Sequence, residues 1–326
     1  MNVTEHQVGP AQPSLIQALT AGFETVSSRI ELIFFPVALD LLLWFGPRVR
    51  PVLLSEPSFT EAAGMTARGP ETVRSVYEQT LLQIEQFNIL SVLRAFPFGL
   101  PSLFALRTPE RHPAGLALIQ EISSYGLMII LVVLLVTAGL AAAALYGILI
   151  SQSVRTGRVN WRQALTGWLW TTGQYILLLV AWHLLLIGAF LPLTCVISLL
   201  LMAGQSQFTI VFFVFGSVLL AVFFGLLAFA PHGILLKRRW AGSSLVDSIK
   251  IMLQHPLPTS GFLVLGGVLV LGTDLIWRIP AYDSWLTLVG VLGHAFITTS
   301  VLAASMVFYR EADRLAQQRI EGQTTK

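Results

Sequence analysis

Apolar positions in this chain gather into long runs instead of alternating with polar ones. Six such runs stand out: Ile30–Phe45, Ser124–Ser151, Leu169–Ala203, Phe208–Leu236, Gly261–Trp277 and Trp285–Tyr309. A helix of about 20 apolar residues crosses the hydrocarbon core of a bilayer. In lipid the backbone must satisfy its own hydrogen bonds, which a helix does within one segment. The runs therefore predict an all-α fold, a polytopic transmembrane bundle of about six spanning helices. The first run is the weakest, being short and containing Glu31, Pro36 and Asp40. The third is long for one perpendicular pass. Pro192 is placed to kink it, and a hidden seventh pass is the alternative.

Between the runs the pattern changes to helical stripes. Leu15, Leu19, Phe23, Val26 and Ile30 share a face before the first run, with Ser14 placed to cap that helix. Asn160 can cap a turn carrying Trp161, Leu165 and Trp168 before the third. Before the fifth, Ser244 and Asp247 have capping-box spacing, and Leu245, Ile249, Met252 and Leu253 share a face. This is a threefold pattern of interfacial helices, each feeding a helical hairpin. The segment from Gly46 to about Ser123 is the one long connection. Ser58 and Glu61 predict a short helix there. A longer one is expected from Pro70 to Pro97, with Val73, Tyr77, Leu81, Ile84 and Phe87 on one face. The apolar stretch Phe96–Leu106 is expected to dip into the membrane interface.

Composition supports the membrane assignment. Of 326 residues, 55% are hydrophobic and 11% charged, and mean hydropathy is +0.74. A soluble domain carries roughly a quarter charged residues. The net charge of +3 and the lack of a basic run interleaved with aromatics argue against nucleic acid. The distribution of Lys and Arg predicts orientation. Arg155, Arg158 and Arg162, then Lys237, Arg238, Arg239 and Lys250, then Arg310, Arg314, Arg319 and Lys326 all fall on one side of a six-span bundle. That side is expected to be cytoplasmic, in a cell (inner) membrane, with both termini inside. Arg48 and Arg50 fall on the other side, in a connection long enough to translocate regardless of charge. The expected organisation is a cytoplasmic N-terminus over residues 1–29, a transmembrane domain over 30–309 with its long outer loop at 46–123, and a basic tail over 310–326. No cleavable signal peptide is expected, and Cys195 reads as a packing residue.

Ionisable residues inside a bilayer are costly and mark candidate sites. Glu31 falls near the inner interface. Asp274 precedes Arg278 by four residues, the spacing of an intrahelical ion pair. Asp40 has no cation nearby in sequence and most needs a partner. His183 sits beside Trp182, and His294 shares a face with Gly290 and Thr298. Convergence of Asp40, His183 and His294 would make a polar cluster suited to a cation, a proton relay or a lipid headgroup. Gly139, Ala143 and Gly147 form a stripe of small residues suited to close helix packing, within one chain or between two. No metal spacing, nucleotide loop or nucleophile elbow occurs, so no cofactor and no metal are expected. The expected partners are membrane lipids, with a second copy or another protein meeting the outer loop or the small-residue faces. The leading expectation is a non-enzymatic scaffold, assembly or lipid-interacting component. The alternatives are a small permease or channel and a membrane-embedded lipid-modifying enzyme.

The stretch Phe229-Ala-Pro231-His-Gly-Ile234, followed by Lys237 to Gly242 and Ser248, resembles the membrane domain associated with glycerophosphodiester phosphodiesterases. In that family a helix ends at a proline, a short basic loop follows, and an amphipathic helix carries a serine. Gly22–Pro47 and Gly293–Arg310 are similar to a bacterial multi-pass membrane family. The resemblance implies architecture alone, six helices with interfacial elbows. The phosphodiesterase catalytic domain is absent, so no activity carries over.

Overall fold

The computed structural model describes residues 13–51 and 87–324. Among them the helices are α1 (Leu15–Ser27), α2 (Phe34–Phe45), α3 (Tyr125–Thr156), α4 (Trp161–Met202), α5 (Ser206–Leu227), α6 (Ala230–Lys237), α7 (Ala241–Gln254), α8 (Pro256–Trp277) and α9 (Thr287–Thr324). Four short strands interrupt the order: β1 (Arg48–Pro51), β2 (Arg111–His112), β3 (Gly115–Leu116) and β4 (Ile119–Ile122). Five stretches are long and apolar enough to cross a membrane: Tyr125–Thr156, Trp161–Leu200, Ile210–Lys237, Pro256–Trp277 and Thr287–Gln318.

The first expected span is the departure. Ile30–Phe45 breaks into a 3-10 turn over Ile30–Ile33 and the 12-residue α2. Twelve residues rise only about 18 Å at 1.5 Å each, short of the ~30 Å core. The third run, by contrast, is one element. α4 continues through Pro192 for 42 residues, so no seventh pass forms there. Residues 310–324, expected as a basic tail, are helical and prolong α9.

The chain forms two compact units. The first comprises Met1–Ser28, Gly147–Leu269 and Ser300–Lys326. Its core gathers Ala18, Phe229, Ile251, Phe262, Ala304, Phe308, Tyr309 and Ala312. Phe262 stacks on Phe308 with centroids 4.8 Å apart, and Phe229 on Phe308 at 5.8 Å. α1 begins where Ser14 Oγ accepts from Gln17 N. It buries the small residues Ala18 and Gly22, with Leu15 and Leu19 packed at the sides. A Cβ at Gly22 would lie 2.5 Å from both Ala304 N and Ser300 O, so α1 and α9 meet backbone to backbone there.

The elbow between α5 and α7 has its own clamp. Ser248 Oγ donates to Leu226 O (2.7 Å) and accepts from Phe229 N (3.1 Å), satisfying groups freed where the helix breaks before Pro231. Ser244 does not cap α7, which starts at Ala241, because its hydroxyl instead donates to Ala230 O. Gln174 Oε1 accepts from Ala241 N at 2.9 Å and takes over part of the capping. Asp247 pairs with Arg239 at 3.1 Å. Asn160 does cap α4, accepting from Gln163 N, although the segment it opens is continuous with the span.

The second unit comprises Arg29–Tyr146 and Val270–Thr299. β1 and β4 pair in parallel, Arg48 opposite Ile119 through Pro51 opposite Ile122, and β2 pairs antiparallel with β3. Trp44 is fully buried and donates through Nε1 to Tyr282 O at 2.8 Å. Its ring lies 6.1 Å from Phe104. Tyr146 donates to Thr299 Oγ1 at 2.8 Å. The helices expected around Ser58 and from Pro70 fall largely outside the described residues; at their end a 3-10 turn, Ile89–Arg94, follows Asn88. The stretch Phe96–Leu106 is divided between core and surface. Leu100, Leu103 and Phe104 are core residues of this unit, while Phe96 and Leu106 are exposed.

Candidate functional site

Asp40, Arg278, Asp274 and His294 of the second unit are joined in one polar network. Asp40, on α2, has no exposed surface. Ser102 Oγ donates to its Oδ1 at 2.5 Å, Leu103 N to Oδ2 at 3.1 Å and Phe104 N to Oδ1 at 3.3 Å. Ser102 Oγ also accepts from Ala105 N at 3.0 Å, so residues 102–105 close into a turn around the carboxylate. A buried carboxylate is tolerated only when such donors replace its water. This partner lies 62 residues along the chain, which no local spacing could reveal.

The same turn reaches the next group. Leu103 O accepts from Arg278 Nη2 at 3.1 Å. Arg278 Nη2 also lies 3.6 Å from Asp274 Oδ2, four residues back on α8. The other oxygen of Asp274 accepts from His294 Nδ1 at 2.6 Å. Two glycines make that contact feasible. A Cβ at Gly290 would lie 2.5 Å from Trp277 O, and one at Gly293 would lie 2.7 Å from the Trp277 ring. Their absence lets the end of α8 settle on the start of α9, which brings Asp274 to His294. Nε2 of His294, Nε1 of Trp277 and Nε of Arg278 are buried without a partner among the described residues. Arg94 adds a further cation, its guanidinium 5.4 Å from the Phe96 ring centroid. Burial pushes it below the usual arginine range, opposed by the carboxylates of Asp274 and Asp40.

His183 does not share these surroundings. It belongs to the first unit, is exposed on α4, and donates through Nδ1 to Leu179 O of its own helix at 2.8 Å. The small-residue stripe serves two contacts within the chain. A Cβ at Gly139 would lie 2.2 Å from Leu93 O in the second unit. At Gly147 it would lie 2.8 Å from Leu235 in the first. Ala143, between them, is buried. Among the described residues no group of three His, Cys, Asp or Glu is placed to hold a metal ion. Cys195 is exposed on α4, where the sequence suggested a packing residue.

A feature the sequence reading passed over is a pocket of about 790 Å³ in the second unit, whose lining includes Arg48, Asn88, Arg107, Glu110, Arg111 and Asp283. Arg48 is almost wholly buried. It lies 2.6 Å from Glu110 Oε1, which Arg50 also meets at 2.8 Å. Burial, and less so the neighbouring Arg50, hold Arg48 below the usual arginine range, and Glu110 opposes them. Arg48, Arg50, Arg107 and Arg111 were legible as charges, but it takes the pairing of β1 with β4 and the bond from Val49 N to Asn88 to bring residues 48–51 beside the segment that follows residue 87.

Fold and network together define a multi-pass α-helical membrane protein. No protein-family model, curated protein or solved structure matches the chain.

Proposed function

We propose that the protein is a non-enzymatic, lipid-interacting component of a membrane. The observation that carries this reading is the state of Asp40. Its carboxylate is removed from solvent and met by three donors, so it acts as a clamp between α2 and residues 102–104. Asp274 is likewise held between Arg278 and His294. Groups engaged in this way fix a fold and leave little to bind a substrate ion. The basic connections around Arg158 and at Lys237–Arg239 support an orientation with those connections and the C-terminal end of α9 cytoplasmic, in a bacterial inner membrane; five crossings then place the N-terminal side of α3 outside. Kinship with the membrane domain associated with glycerophosphodiester phosphodiesterases is part of this proposal for architecture alone.

A second reading, a small permease or channel, draws on the unpartnered Nε2 of His294 beside the Asp274 pair. Proton and cation flux in proteoliposomes separates the two. With an imposed pH gradient or potential, the purified protein is expected to leave vesicle leakage at the level of protein-free vesicles. Flux that Asp274→Asn or His294→Gln abolishes would overturn the first reading in favour of the second.

A further inference from the structure

We propose that the pocket bounded by Arg48, Asn88, Arg107, Arg111 and Tyr282 binds the phosphate of an anionic lipid headgroup. The inference deepens the lipid-interacting reading and rests on it.

The charges favour an anion. Glu110 lines the pocket but is shared between Arg48 and Arg50, so that cluster keeps a positive excess. Arg107 and Arg111 line the pocket, are exposed, and make no ion pair among the described residues. Asp283 is the carboxylate that opposes them. A guanidinium offers paired N–H donors that match two phosphate oxygens, and two such groups four residues apart in sequence supply a divided grip.

Asn88 is the second, independent sign. It is almost fully buried, and its Oδ1 accepts from Val49 N (3.0 Å) and Leu90 N (3.1 Å). Those two N–H groups fix which end of the amide is oxygen. The Nδ2 donors therefore face away from them, and Nδ2 has no partner among the described residues. A buried amide donor lining a basic pocket is a place for an acceptor atom.

The surroundings favour a lipid as the carrier of that phosphate. Tyr282 and Asp283 lie in the short connection between the candidate spans ending at Trp277 and beginning at Thr287. Six residues or fewer separate them from either span, which sets this wall of the pocket at headgroup depth. Ile279, Trp285 and Leu286 in the same connection are exposed, as are Phe87 and Leu106 on the pocket lining. Exposed aromatic and aliphatic side chains beside a basic pocket suit an amphiphile with a charged head.

The test titrates the full chain, purified in neutral detergent, with three probes: dioctanoyl phosphatidylglycerol, dioctanoyl phosphatidylcholine and inorganic phosphate. Binding is read by tryptophan fluorescence and by the shift in thermal unfolding. The phosphatidylglycerol is expected to saturate at least tenfold more tightly than either other probe. The double variant Arg107→Gln/Arg111→Gln, altered at exposed positions, is expected to lose that preference while keeping its own unfolding temperature. Asp283→Asn is expected to tighten binding several-fold. Equal affinity for both lipids, or a preference that survives in the double variant, would overturn the site. Inorganic phosphate binding as tightly as the lipid would overturn the lipid as its source. None of these residues enters the flux measurement above, so failure of the pocket and failure of the general reading are told apart.

Discussion

Asp40 illustrates what single residues contribute here. The three donors that meet it have no water to return to once the carboxylate is gone. Leaving a buried donor unmade costs about 1–3 kcal/mol. Asp40→Ala is therefore expected to lower stability by about 3 kcal/mol, read as a fall in the thermal unfolding temperature in detergent. An unchanged transition would show that residues 102–104 do not depend on the clamp. The need for a partner was legible from the sequence, because an uncompensated acid in an apolar run is costly. Its identity was not, since Ser102 sits in a stretch with no helical or strand period to position it. His294 was flagged for the small residues on its face. Gly290 does serve as contact space, for Trp277 on the neighbouring helix. That Asp274 would be shared between Arg278 and His294 depends on two helices meeting, which is tertiary information.

At the level of elements, long apolar runs were the readable part. Helix formation in lipid leaves the backbone no alternative, so length and hydropathy suffice. Reading failed where a run was short and mixed. Ile30–Phe45 was read as one apolar run but breaks at Ile33. The two-stranded β1–β4 pairing was invisible because β1 and β4 lie about 70 residues apart and are four residues each. Glycines separate packing from tolerance among the helices. Gly22→Val places a branched side chain against the backbone of α9 and is expected to cost about 2–3 kcal/mol. Trypsin should then cut after Arg29 faster than in the parent protein. Gly173→Ala, with open space at its Cβ position, is the control. It is expected to change stability by no more than about 1 kcal/mol, towards greater helix stability. Equal cleavage rates in both variants would refute the close approach of α1.

For the whole molecule, the decisive quantity is sidedness. The connection at 157–160 follows one span and the connection at 278–286 follows another, with two further spans between them. An odd number of crossings separates the two connections, so they must face opposite sides. In a Cys195→Ser background, Asp283→Cys is expected to react with an impermeant maleimide on intact cells. Arg158→Cys is expected to react only after permeabilisation. Labelling of both from the same side would refute the five-span arrangement, and the reverse pattern would refute the proposed orientation.

The turn around Asp40 also sets a schedule. A ribosome adds roughly 5–20 residues per second, so its donors, 62 residues downstream, emerge about 3–12 s after the acid itself. Arg278, which steadies that turn through Leu103 O, arrives 175 residues after Leu103. For that interval α2 carries a carboxylate with no protein partner. The second unit is therefore completed only when synthesis of the chain is nearly over.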